Sequence, residues 1–108
     1  MYRFADVILP LPLHNYFTYR IPDEMQGILR QGHRVVVPFG RSKYYTAIVA
    51  ILHDTEPAGY EVKEISTLLD DQPILLYPQI RFWEWIAEYY LCSVGDVYKA
   101  ALPAGLKL

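Results

Sequence analysis

Residues 44–53, YYTAIVAILH, constrain the fold more than any other stretch. They run almost without interruption through apolar β-formers, which predicts a strand at the centre of a sheet. Just before them, RVVVPF (34–39) predicts a second strand whose Val35, Val37 and Phe39 share a face. Gly40, Arg41, Ser42 and Lys43 then form the tip of a hairpin. Either that tip is a solvated turn or the sheet presents a site there.

The flanking segments continue the β pattern. RFADVILPLPL (3–13) begins as a strand, but Pro10 and Pro12 have no N–H for a ladder, so the segment follows an edge or leaves the sheet. YFTYRI (16–21) alternates, with Phe17, Tyr19 and Ile21 on one face and Tyr16, Thr18 and Arg20 on the other, until Pro22 ends it. A loop punctuated by Gly27 and Gly32 follows, and an acidic loop covers 54–59. YEVKEISTLL (60–69) alternates again and predicts a fifth strand. Five short strands with tight connections predict a small curled antiparallel sheet or barrel.

After residue 70 the period changes. A helix is expected from about Pro78, proline being suited to the first helical position. Ile80, Trp83, Ile86 and Tyr90 make one apolar stripe; Phe82, Trp85 and Tyr89 make another. A helix this apolar needs cover on both sides, so it is expected to pack on the sheet and offer its second stripe to a neighbour. Ser93 and Asp96 resemble a capping box for a second helix running to about Leu102. The expected class is α+β: one domain over 1–108, β-rich over 1–70 and helical over 78–102.

Composition narrows the function classes. The 108 residues suffice for one domain, and 53% hydrophobic content supports a core. Cys92 alone allows no internal disulfide and fits a reducing, cytoplasmic setting. One cysteine and three scattered histidines predict no metal site, and no run of about 18 apolar residues predicts a membrane span. No phosphate-binding glycine loop or nucleophile elbow occurs. Asp70 and Asp71 read as a solvated loop, and His14, His33 and His53 fall at strand ends. No catalytic residue is predicted. Between Val7 and His53 the only acids are Asp23 and Glu24, against Arg20, Arg30, Arg34, Arg41 and Lys43, so this half is locally positive although the net charge is −2. Ten tyrosines suit half-buried sheets and stacking surfaces alike.

Three ordered blocks, ILPLPLHNYFTYRIP (8–22), GHRVVVPFGRSKYYTAIV (32–49) and EYYLCSVGDVYKAALP (88–103), resemble the N-terminal 3′ DNA-binding domain of the PriA (primosomal protein N′) family of bacterial replication-restart helicases. The middle block, G-x-R-V-x-V-P-F-G, is the most specific, and the resemblance covers about the whole chain. It implies a non-catalytic module that captures the free 3′-OH end of a nascent leading strand at a stalled or abandoned fork. The winged-helix, ATP-dependent 3′–5′ helicase and zinc-binding parts would lie elsewhere in a larger protein, so ATP, magnesium and zinc are expected only there. The implied partners are forked DNA with a free 3′ end and the remaining domains of the helicase. Other primosome proteins and single-stranded DNA-binding protein are further partners in this picture.

Position by position, the resemblance puts the pocket on Phe17, Thr18, Tyr19, Gly40 and Lys63, with Arg41 and Lys43 along the approaching backbone. A member of the family has aspartate where this chain has Thr18. A carboxylate only accepts hydrogen bonds whereas a threonine hydroxyl also donates, so base readout would rest more on the backbone of Phe17 to Tyr19. Gly40 lets a nucleotide approach the backbone, but equally suits an ordinary turn. Phe17 and Tyr19 are either a wall of the site or plain core, and Lys63 either meets the terminal sugar or phosphate or pairs with Glu61 or Glu64. The rival reading is a protein-interaction module that holds a peptide in an aromatic groove.

Overall fold

A computed structural model of the chain describes residues 2–13, 15–59, 61–70, 77–90 and 92–101, Tyr77 by its backbone alone. Strands β1 (Phe4–Ile8), β2 (Phe17–Arg20), β3 (Arg34–Pro38), β4 (Tyr44–His53) and β5 (Thr67–Leu68) precede helices α1 (Tyr77–Tyr89) and α2 (Val94–Ala101). The sheet is antiparallel with strand order β2-β1-β4-β3-β5, which puts β4 in the middle.

The near-continuous apolar run of β4 follows from burial on both faces. Ala47 and Val49 join Ala5, Val7, Tyr19, Val35 and Val37 in one core. Ile48 and Ala50 join Ile8, Ile80, Trp83 and Tyr98 in a second core under the helices. β1 leaves the sheet after Ile8, before Pro10. An open sheet forms, not a barrel. The strand expected over 60–69 shrinks to Thr67–Leu68, because this segment crosses between two edges. Lys63 O accepts from Arg20 N–H and Ile65 N–H donates to Arg20 O, whereas Ser66 and Leu69 donate to Val36 and Arg34 of β3. A chain serving both edges in turn ladders only briefly, here with β3 over Thr67–Leu68. Tyr60, His14, Asp71 and Leu102 lie outside the described residues.

Both helices are found, and α1 begins at Tyr77, one residue before Pro78. Its buried stripe is Ile80, Trp83 and Ala87, with Ile86 packed partly against it. Tyr90 departs from the expected stripe: it follows the last helical residue and is exposed. Phe82, Trp85 and Tyr89 are 55–66% exposed, so the second stripe faces outward as expected. The Ser93–Asp96 capping box forms. Asp96 N–H donates to Ser93 Oγ at 3.1 Å, and Ser93 N–H donates to Asp96 Oδ2 at 3.4 Å. Tyr98 is buried beneath β4, donates to Thr46 O at 2.9 Å, and has its hydroxyl pKa pushed up to about 12 by burial. Tyr16 ties the approach to β2 to α1 through Glu84, and burial with that bond raises its pKa.

The expectation of a solvated Asp70 is corrected. Leu69 N–H bonds Arg34 O, and this carries Asp70 onto the guanidinium of Arg34, which it meets at 2.7 and 3.1 Å. Arg34 N–H adds a third donor at 3.0 Å. These bonds hold the carboxyl below the usual carboxylate range. Of the histidines, His33 is buried with Nδ1 accepting from Arg30 N–H, and His53 closes β4.

Candidate nucleic-acid interface

One end of the sheet carries a cleft of about 310 Å3 between β2, the end of β3 and residues 61–63. Phe17, Thr18, Tyr19, Gly40 and Lys63 all line it, joined by Pro38, Phe39 and Glu61. Three segments far apart in sequence thus supply the five residues singled out from the sequence. Pro38, Phe39 and Glu61 were missed. Glu61 was legible in principle, because two residues before Lys63 in extended chain places it on the same side.

β2 builds the floor. Strand alternation turns Phe17 and Tyr19 inward, where Tyr19 is only 2% exposed. Tyr19 donates its hydroxyl to Pro38 O at 2.7 Å, which ties the edge strand to the end of β3. Phe17 is half-buried and meets Phe39 edge-on, ring centroids 4.8 Å apart; Phe39 in turn meets Tyr45 at 6.2 Å. These rings form a wall fixed by the core.

Thr18 points to the opposite face. Its hydroxyl donates to Asp6 Oδ1 at 2.6 Å, and the same oxygen meets His53 Nε2 at 2.7 Å. His53 Nδ1 accepts from Thr55 N–H, so Nε2 carries the proton that Asp6 receives. The main chain of Thr18 turns toward the cleft side instead. Arg20 directs its N–H and C=O toward residues 63–65, and alternation directs those of Thr18 the same way.

The hairpin tip supplies the rim. Phe39 N–H donates to Lys43 O at 3.0 Å, closing a turn in which Gly40 has φ +74° and Ser42 φ 60°. A Cβ built on Gly40 would meet nothing within 4 Å, so backbone conformation and not crowding demands glycine here. Arg41 and Lys43 are exposed on the tip beside the cleft and do not line it. Lys63 is exposed and makes no ion pair among the described residues, so the pairing with Glu61 or Glu64 left open by the sequence does not form. The cleft therefore combines an apolar aromatic wall, backbone polar groups, one ammonium and one carboxylate. That composition suits a small part-apolar, part-polar group such as one nucleotide.

Among the described residues, no group of three or more His, Cys, Asp or Glu side chains is placed to hold a metal ion. No described helix is long and apolar enough to cross a membrane.

A family model for PriA, described as the 3′DNA-binding domain (3′BD), matches residues 6–103. Replication restart protein PriA of Bacillus subtilis is 35% identical over 108 residues, spanning 97% of this chain and 13% of that protein. Its counterpart in Haemophilus influenzae is 38% identical over 110 residues, 97% and 14% respectively. That of Treponema pallidum is 27% identical, over 96% of this chain and 16% of that protein. The chain thus spans only a small part of the length of the curated relatives it matches.

Proposed function

The chain belongs to the PriA 3′DNA-binding domain family, and from that premise we propose that its cleft binds the free 3′-OH end of a DNA strand. The observation that carries this reading is that Phe17, Thr18, Tyr19, Gly40 and Lys63 line one nucleotide-sized cleft. The terminal base lies against the aromatic wall of Phe17 and Phe39, a contact of about 1–3 kcal/mol that tolerates any base. The backbone of Thr18 meets its polar edge, Gly40 lets the sugar approach, and Lys63 meets the terminal sugar or its phosphate. Arg41 and Lys43 sit along the incoming backbone and add a salt-dependent term. Binding needs no metal or cofactor and survives a chelator.

In a full-length protein like the relatives, this domain would hold the nascent leading strand at an abandoned fork while other domains unwind DNA with ATP in the cytoplasm. Few cations surround the cleft, so affinity alone is modest and the tethered domains supply the rest by effective concentration. Fluorescence anisotropy at low salt tests the proposal, using a short labelled single strand ending in 3′-OH and the same strand ending in 3′-phosphate. Clearly tighter binding of the 3′-OH strand is expected; equal binding would refute it.

One observation favours a protein contact in addition: the exposed Phe82, Trp85 and Tyr89 face of α1. Salt-insensitive binding of a peptide, with no preference among DNA ends, would replace the DNA reading with this one.

A further inference from the structure

Resting on that reading, we propose that Glu61 is the residue that distinguishes a free 3′-hydroxyl from a 3′-phosphate or a continuing strand. It also fixes the direction in which the strand lies. Glu61 is exposed, lines the cleft beside Lys63 and makes no ion pair among the described residues. A carboxylate in a cleft for a polyanion repels its ligand unless a donor meets it. A deoxyribose 3′-hydroxyl is such a donor, whereas a phosphate offers only acceptors and negative charge.

Glu61 is also shared with a second, larger cleft of about 500 Å3, which Arg3, Arg20, Asp23 and Glu56 help to line. The two clefts follow each other along β2. Phe17 touches Phe39 next to the hairpin tip, whereas Arg20 pairs with Phe4 at the other end of the strand. Beyond Glu61 a continuing phosphate chain would face Asp23 and Glu56. Arg3 and Arg20 stand there as well, Arg3 Nη2 donating to Asp54 O at 2.8 Å and Arg20 Nη2 approaching Val62 O at 3.5 Å, so both stay cationic and Glu61 is the acid that tips the balance of this cleft to negative. The opposite approach, over the tip, carries Arg41 and Lys43 without an acid among residues 38–45. The strand therefore enters over the tip, stacks its last base on the aromatic wall and ends with its 3′-hydroxyl on Glu61. The charge of Glu61, at the junction of the two clefts, opposes any phosphate placed beyond it.

The test compares this chain with Glu61→Gln and Glu56→Gln by anisotropy, on strands ending in 3′-OH or 3′-phosphate. Glutamine keeps a hydrogen-bond acceptor and removes the charge. Glu61→Gln is expected to tighten 3′-phosphate binding by about fivefold, the worth of one like-charge contact at about 4 Å in water. The 3′-OH preference then collapses while the melting temperature stays put. Glu56→Gln, which borders only the second cleft, is expected to change the ratio less than Glu61→Gln does. A normal 3′-OH preference in Glu61→Gln would overturn the inference and leave the cleft's function standing, as would equal effects of the two variants. No preference in the unmodified chain would overturn the cleft's function itself.

Discussion

Gly40 separates backbone strain from ligand contact, because its φ is +74° while the space around its missing Cβ is empty. Any L-residue there costs about 1–2 kcal/mol for the left-handed conformation, and asparagine less. Nothing else in the fold objects. Gly40→Trp should therefore lower stability by that amount, a fall of about 4–16 °C in Tm for a domain of this size, and still fold. Gly40→Asn should lower it less. The indole of Gly40→Trp would project from the rim of a cleft of about 310 Å3 and compete with the terminal nucleotide. Losing the base contact costs about 1–3 kcal/mol, or roughly 5- to 150-fold in Kd. The assay pairs thermal melts with anisotropy on 3′-OH and 3′-phosphate strands. Gly40→Trp is expected to abolish the difference between strands, whereas Gly40→Asn keeps most of it. A folded Gly40→Trp that still prefers the 3′-OH end would remove Gly40 from the site.

Gly95 behaves oppositely, since an added Cβ would sit 2.0 Å from Leu11 O and 2.3 Å from Leu9 O. Gly95→Ala should push α2 off the segment that follows β1 and cost at least about 3 kcal/mol by chemical denaturation. Asp70→Asn should cost about 1–3 kcal/mol by removing the charge that three Arg34 donors meet. Because Asp70 titrates below its unfolded value, its contribution is complete above the usual carboxylate pKa and fades as pH falls through the folded one. Urea midpoints should thus converge for the two proteins in strong acid. Removing Arg41 or Lys43 should each reduce the salt slope of single-strand binding by about 0.7 per lost phosphate contact. Thr18→Asp should destabilise by roughly 1–3 kcal/mol against Asp6, and Asp6→Asn should relieve it in a double-mutant cycle.

The fold was legible where the chain has a strong period. β4 announces its burial on both faces through its unbroken apolar run, and α1 announces its two stripes. Residues 60–69 misled because their alternation is that of extended chain. Extended chain and ladder differ only in partners, here split between Arg20 on one edge and Val36 and Arg34 on the other. Asp70 misled for a related reason: its partner Arg34 lies 36 residues earlier, and no local pattern joins them. The five site residues came through the resemblance alone. That they share a cleft is a property of strand order, which periodicity does not reveal.

Thr18 shows how the proposed site would tolerate a change of side chain at its centre. Alternation sends that side chain to the face of Asp6 and His53 while Phe17 and Tyr19 face the core. What position 18 presents to the cleft is main chain, whose geometry depends on β2 staying registered against β1, with Thr18 opposite Asp6. With Asp6 already a carboxylate, a second acid at 18 would face it at hydrogen-bond distance, whereas a hydroxyl donates to it. The Thr18 hydroxyl suits the carboxylate opposite it on β1. A reader of the sequence looking for an acid to recognise a base would mark position 18 as a defect. In three dimensions the acid sits across the strand pair, as Asp6 on β1.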